Sequence, residues 1–206
     1  LSLILFACTN RSLQTEQVSL PYYNSPEFEP RFLKKDSVNS IIDHQIGDFN
    51  FLNQNGESIS QKTIEDKVHV ANFMFTSCGS ICPSMTNNLK TVSDSLENNK
   101  DLVILSYSVT PWLDSIPKLL SYKDRYKIAN PNWHFLTGST AEIYELARQS
   151  YFAEEDLGFS KDSTDFLHTE HFILVDKTKR IRGIYNGTLA LEMNQLIEDI
   201  EVLLKE

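Results

Sequence analysis

Cysteine, glycine and basic residues are all scarce in this chain. Among 206 residues there are three cysteines and seven glycines. Three thiols cannot build the cross-linked framework of a small secreted domain, and none is needed, because 41% hydrophobic and 23% charged residues suffice for an ordinary packed core. Lys and Arg number 19 against 28 acidic residues, a formal net charge of −9. Cationic side chains supply the energy for gripping phosphate backbones, so the balance argues against nucleic acid as a partner. No apolar run is long enough to cross a bilayer, and no internal repeat is visible. The length fits one domain plus a tail. What is present is an odd set of cysteines in informative places: Cys8, Cys78 and Cys82.

The first residue is not Met, and residues 1–7 are apolar except for Ser2 before they meet Cys8. Leu5-Phe6-Ala7-Cys8 resembles the lipobox of bacterial lipoproteins, where a small residue precedes a cysteine that is lipidated; Phe6 is bulkier than that pattern prefers. Residues 1–8 therefore read as a truncated lipoprotein signal peptide ending at the lipidation site Cys8. A lipid there anchors the chain to a membrane surface without spanning it, on the extracytoplasmic, periplasmic side. Residues 9–40 are mostly polar and carry Pro21, Pro26 and Pro30. Proline at that density blocks helix and ladder pairing, so this stretch reads as a tether with some extended structure. Its aromatics, Tyr22, Tyr23, Phe28 and Phe32, are available to dock on the domain.

Residues 68–75 form a mostly apolar, β-branched and aromatic run of strand length, which predicts a buried central strand. Cys78-Gly-Ser-Ile-Cys82-Pro83 follows. From Pro83 onward, Met85, Leu89, Val92 and Leu96 recur at steps of four, three and four, one face of an amphipathic helix. Proline favours the first helical position, which makes Cys82 the expected N-cap, with the helix dipole and unpaired N–H groups favouring its thiolate. Cys78 falls in the preceding loop. Two sulfurs at the end of one strand can close a disulfide or clamp one soft metal ion.

Residues 102–109 predict a second strand, followed by a helical stretch ending near Tyr126 and a short strand around residues 134–136. Ser139-Thr140-Ala141-Glu142 reads as a capping box opening a helix to about Ser150. Strands alternating with helices predict an α/β fold with its sheet covered on both faces. Residues 152–166 break the pattern and read as a mobile acidic loop. That loop delivers His168-Thr169-Glu170-His171 into a strand at residues 172–175, a turn at 176–179, a return to Tyr185, and a final helix with Met193, Leu196, Ile197, Ile200, Leu203 and Leu204 on one face. Imidazole with two thiolates is a three-coordinate set suited to copper, sulfur favouring Cu(I) and nitrogen admitting Cu(II). On spacing, His168 and His171 compete; His44, His69 and His134 read as packing or surface residues.

Cys78-Gly-Ser-Ile-Cys82-Pro and His168-Thr resemble the SCO/SenC proteins, extracytoplasmic thioredoxin-like copper proteins linked to cytochrome c oxidase assembly. Residues 47–56 resemble that family's opening hairpin, residues 73–78 its strand into the site, and residues 132–138 its later strand. The resemblance covers roughly residues 41–206. It implies a thioredoxin-like domain there, a central mixed sheet flanked by helices with an N-terminal β-hairpin, and copper ligands Cys78, Cys82 and His168. His168 is preferred to His171 because Thr follows it and it stands eight residues before the turn residue Asp176. One departure is Thr110-Pro111, where the family commonly has Asp-Pro; Asp114 holds the second acidic position.

The function this implies is a copper chaperone delivering to the dinuclear copper centre of cytochrome c oxidase. The partners implied are the oxidase's copper-receiving subunit or another copper chaperone. A thiol-disulfide reductase using Cys78 and Cys82 is the alternative. General thioredoxin-like oxidoreductases place a cis-proline near their thiols, and this chain has no proline after Pro131. A peroxidase is disfavoured because no Arg stands between Arg31 and Arg125 to activate a cysteine. Zinc on two cysteines and one histidine is chemically possible.

Overall fold

The computed structural model describes residues 19–96, 99–153 and 169–206. Within them the helices are α1 (Val38–Ile41), α2 (Cys82–Ser95), α3 (Ile116–Arg125), α4 (Thr140–Glu145) and α5 (Ala190–Lys205). The strands are β1 (Asn50–Asn53), β2 (Ser58–Ser60), β3 (Val68–Met74), β4 (Leu102–Ser108), β5 (Trp133–Thr137), β6 (His171–Val175) and β7 (Ile181–Asn186). They form one mixed sheet in the order β2-β1-β5-β4-β3-β6-β7. β3, β4 and β5 run parallel; β1 is antiparallel to β2 and β5, and β6 is antiparallel to β3 and β7.

Every residue of β3 and β4 is buried, as expected of central strands covered on both faces. The two-residue period divides them. Val68, Val70, Leu102 and Ile104 join Met85, Leu89 and Val92 of α2, Leu119 of α3 and Leu196 and Ile200 of α5 in one half of the core. Ala71, Phe73, Leu105 and Tyr107 join Phe49, Phe51, Ile143 and Ala147 in the other. Each fully buried aliphatic side chain contributes about 1.5–3 kcal/mol relative to exposure, so the α2 stripe alone is enough to hold that helix against the sheet. The β1–β2 hairpin turns at Gly56, whose φ of 78° suits a residue without Cβ.

Two local expectations differ from the structure. Ser139 occupies the cap position of α4 but its side chain accepts no capping bond, and the last turn widens into a π-helical turn at Leu146–Ser150. In the 19–40 stretch, Tyr22 pairs with Arg31, Tyr23 pairs with Ile181 at the free edge of β7, and Phe28 stacks edge-on against Phe152. Phe32 does not dock; it is 70% exposed.

Parallel β3, β4 and β5 bring their carboxyl ends to one end of the sheet, and the antiparallel partners bring the start of β6 and the end of β7 there too. Cys78 stands at this end. The opposite end, the base, holds the β6–β7 turn and the carboxyl end of α5, joined where the Lys177 ammonium donates to the Leu204 carbonyl (3.1 Å).

Candidate metal centre

The cysteine loop leaves β3 at the carboxyl end of a parallel strand, where open α/β sheets present their ligand sites. Its helix starts one residue earlier than proline placement suggests. Ile81 is already helical (φ −83°, ψ −33°), so Cys82 is the first residue of α2 rather than its cap, and Pro83 takes the second position. Proline costs nothing there because that N–H has no intrahelical acceptor either.

This shift decides which sulfur is the better anion. Cys82 turns into the core, 4% exposed and packed beside Met85. Burial pushes its thiol up to about 12, and proximity to the Cys78 sulfur adds to the rise. The expectation that the helix start favours a thiolate at Cys82 is therefore corrected: desolvation outweighs the dipole. Cys78 is half-buried and its thiol is lowered on balance. Burial alone would raise it, but the backbone N–H groups of Cys82, Ser80 and Ile81 and the Cys82 thiol all stabilise the anion. The Cys82 N–H donates to the Cys78 Sγ at 3.4 Å. Both cysteines are free, and the contact between them makes one two-sulfur platform, a half-buried nucleophilic member beside a buried protonated one.

Beneath the loop lies a carboxylate that no solvent reaches. Asp114 is fully buried. One oxygen accepts from the Thr76 N–H (3.1 Å), the Ser108 hydroxyl (2.7 Å) and the Thr110 hydroxyl (3.1 Å); the other accepts from the Thr76 hydroxyl. The Lys118 ammonium lies 3.5 Å from it and donates to Ser77 Oγ at 3.0 Å. The carboxylate thus ties the end of β3 to the β4–α3 connection. Thr110 contributes a hydroxyl to this network.

The histidines separate by place. His171 opens β6, with Nδ1 3.2 Å from the Thr169 hydroxyl. His168 lies outside the described residues, as do Cys8 and most of the acidic loop at 152–166. Thr169 is buried, and Gly187 donates to the Glu170 carbonyl at 2.7 Å. A Cβ at Gly187 would sit 2.6 Å from the Phe172 ring, so glycine permits this close crossing. His69 is buried in β3, 3.1 Å from the Tyr151 hydroxyl, and His134 lies 3.3 Å from the Asn53 amide. His44 reaches the Ser150 carbonyl at 2.8 Å. Among the described residues no three His, Cys, Asp or Glu side chains converge on one point, so the described donor set is the sulfur pair, which fits a soft, low-coordinate ion. The roles of Thr76, Ser108 and Lys118 went unnoticed in the sequence, and Thr110 stood out there only as a departure from the family pattern. Its one legible trace is the Asp114 to Lys118 spacing of four.

A mixed sheet packed by helices on both faces, with a thiol pair at the start of the helix after a central parallel strand, defines a thioredoxin-like thiol protein. The chain belongs to the SCO1/SenC family, whose model matches residues 40–205. It is similar to the SCO1 protein homolog of Bacillus subtilis, 32% identical over 80% of this chain and 85% of that one. A SCO1/SenC family lipoprotein from Bacillus anthracis superposes with a TM-score of 0.68 at 28% identity, covering 79% of this chain and 96% of that one. The copper-bound ScoI of Bradyrhizobium japonicum shares the fold, with a TM-score of 0.61 and 22% identity over 76% and 98% of the two chains. No helix among the described residues is long and apolar enough to cross a membrane.

Proposed function

We propose that this protein is an extracytoplasmic, lipid-anchored copper carrier that passes copper to the dinuclear copper centre of cytochrome c oxidase. Copper is the cargo. Cys78, Cys82 and His168 hold it, and Cys8 carries the lipid. The observation that carries the reading is the sulfur pair itself, with one thiol lowered by converging N–H donors and the other buried directly against it. Two soft donors, Cys78 in the loop and Cys82 at the helix start, suit Cu(I), and an incoming acceptor thiolate can displace one of them while the other retains the ion. Membership of the SCO1/SenC family and the copper bound in a protein of the same fold point the same way.

Anaerobic titration of the reduced protein with copper, followed spectroscopically in wild type and His168→Ala, tests it. One equivalent is expected to bind, with affinity and spectrum altered by the substitution. Absence of binding, or identical behaviour of the variant, would overturn the ligand set.

The asymmetric thiols also favour a second reading, reduction of an acceptor's disulfide. Cys78 is the more accessible thiol and the one whose thiolate the loop N–H groups favour, the attacking member; Cys82 is the resolving one. The mixed disulfide at Cys78 is then released by Cys82, leaving the acceptor dithiol reduced and a Cys78–Cys82 disulfide. Metal-free reduced protein is expected to reduce an oxidised acceptor peptide faster than glutathione does. An equal rate removes this role.

A further inference from the structure

We infer that the thiol loop and the loop after β4 together form the seat for the copper-receiving polypeptide, with Gly79 as the point of close approach and Trp112 and Leu113 as its apolar anchors. The identity of that partner rests on the proposed function; the seat itself stands on exposure, charge and backbone geometry.

Among the described residues, Trp112 and Leu113 are the one pair of sequence neighbours whose large apolar side chains are both exposed, at 59% and 52%. The other tryptophan, Trp133, is buried. The pair stands immediately before Asp114, the carboxylate that holds Thr76, and the N–H groups of Leu113 and Asp114 both donate to the Thr110 carbonyl, at 2.8 and 2.9 Å. Lys118 reaches from the same connection to Ser77, the residue before Cys78, at 3.0 Å. The anchors and the half-buried Cys78 therefore share one surface at the carboxyl ends of β3 and β4. That surface is poor in charge. Residues 67–93 contain no acid and residues 102–123 only the buried Asp114, in a chain with 28 acids among 206 residues. The cation beside the thiol loop, Lys118, is already engaged by Asp114 and Ser77. An aromatic anchor in charge-depleted surroundings is the composition of a protein interface core, whereas anionic headgroups or nucleic acid call for free cations.

Gly79 points the same way independently. A fold needs glycine where φ is positive or where a Cβ would collide. At Gly138, Gly183 and Gly187 a Cβ would lie 2.6 Å or less from a side-chain atom, and Gly56 has a positive φ. Gly79 meets neither condition: its φ is not positive, and a Cβ there has no atom within 4 Å. The folded chain thus has no need of its own for a glycine beside Cys78. A partner whose backbone must come close to that sulfur does need one. With Trp112 and Leu113 covered by the partner, an incoming cysteine is held in register with Cys78 rather than meeting it by random collision.

The test uses the full chain carrying Cys8→Ser, reduced, metal-free and labelled with fluorotryptophan, so that fluorine NMR reports Trp112 and Trp133 separately. It is titrated with the reduced, copper-free soluble domain of the oxidase subunit that carries the dinuclear copper centre. The Trp112 resonance is expected to shift and the Trp133 resonance to stay. Leu113→Ser and Gly79→Gln, which keep the reporter, are each expected to weaken docking by roughly tenfold or more, whereas Phe32→Ser, at an equally exposed aromatic elsewhere, leaves it unchanged. Both variants are expected to keep the wild-type rate with hydroxyethyl disulfide, a small reagent that oxidises the thiol pair and leaves as two thiols. If Leu113→Ser misfolds by circular dichroism, Trp112→Ala followed by calorimetry replaces it with the same expected direction. A still Trp112 resonance, unaffected variants, or an equal loss with Phe32→Ser would each overturn the proposal. So would a Trp112 shift produced by raising the protein's own concentration, which makes a second copy the occupant, or by phosphatidylcholine vesicles, which makes it a bilayer. Copper passage from the loaded protein to the domain is measured separately. Docking without passage removes the carrier role and leaves the seat; passage undiminished in the variants removes the seat and leaves the carrier role.

Discussion

Asp114 accepts hydrogen bonds from both the backbone N–H and the side-chain hydroxyl of Thr76, two residues before Cys78. The carboxylate is buried and also takes the hydroxyls of Ser108 and Thr110, so it fixes the direction in which the thiol loop leaves the sheet.

Removing that anchor has two measurable effects. Asp114→Ala leaves buried donors unpaired, at about 1–3 kcal/mol for each group that water cannot reach. Urea denaturation of the metal-free protein is expected to show a loss in this range, and copper affinity is expected to fall alongside it. Unchanged stability would show that the hydroxyls find other partners.

The thiols are expected to react unequally. With Cys78 lowered and Cys82 pushed up to about 12, an alkylating reagent at neutral pH labels Cys78 first, because the thiolate is the nucleophile. With Cys8 also replaced by Ser, Cys78→Ser leaves Cys82 alone, and it stays slow in folded protein and becomes fast in denaturant. Comparable labelling rates for the two single-cysteine variants would contradict the burial argument.

Two histidines make the fold acid-sensitive. Burial holds His69 at about 3 and His134 at about 4, below the usual 6.5. An unfolded chain takes up these protons near pH 6.5, while the folded one refuses them until far lower pH. Stability is therefore intact above pH 6.5 and drains as pH falls toward 4, by at most about 1.4 kcal/mol per pH unit for His69. His69→Gln is expected to flatten the slope of denaturation free energy against pH between 4 and 6. An unaltered slope would remove His69 as its source.

Arg182 is the charge on which the amino-terminal segment depends. Arg182→Met strands Asp176 and Glu206 and releases the Leu20 and Pro21 carbonyls. Breaking one side of such a buried pair costs about 3–5 kcal/mol. Limited proteolysis is expected to cut near residues 19–33 in the variant and not in the wild type. Arg182→Lys is not expected to rescue, since an ammonium cannot fork to two carbonyls and lie on the Tyr22 ring at once.

The sequence displayed these parts unevenly. β3 and β4 were legible as mostly apolar runs of strand length, and α2 as Met85, Leu89 and Val92 at helical spacing, because burial leaves a local mark in the sequence. The thiol pair was legible from its place between strand and helix. Which sulfur turns inward was not: one residue of helix start rotates Cys82 into the core, and proline alone does not fix that residue. The Asp114 network was hidden because its partners lie four, six and 38 positions away and meet only when β3 and β4 pair. Arg182 was harder still, since a cation in an edge strand ordinarily faces water, and its partners come from residues 20, 21, 176 and 206.

The pairing of Tyr23 with Ile181 has one more consequence. β7 is the last strand of the sheet, and an uncovered strand edge is a template on which a second molecule can add its own strand. The amino-terminal segment occupies that edge at Ile181, so it works as a guard against self-association as well as a link to whatever precedes it. A chain trimmed past Tyr23 frees the Ile181 carbonyl that accepts from the Tyr23 N–H and removes the segment that crosses the edge there, and its failure is expected to be clumping between folded molecules before any loss of the fold itself.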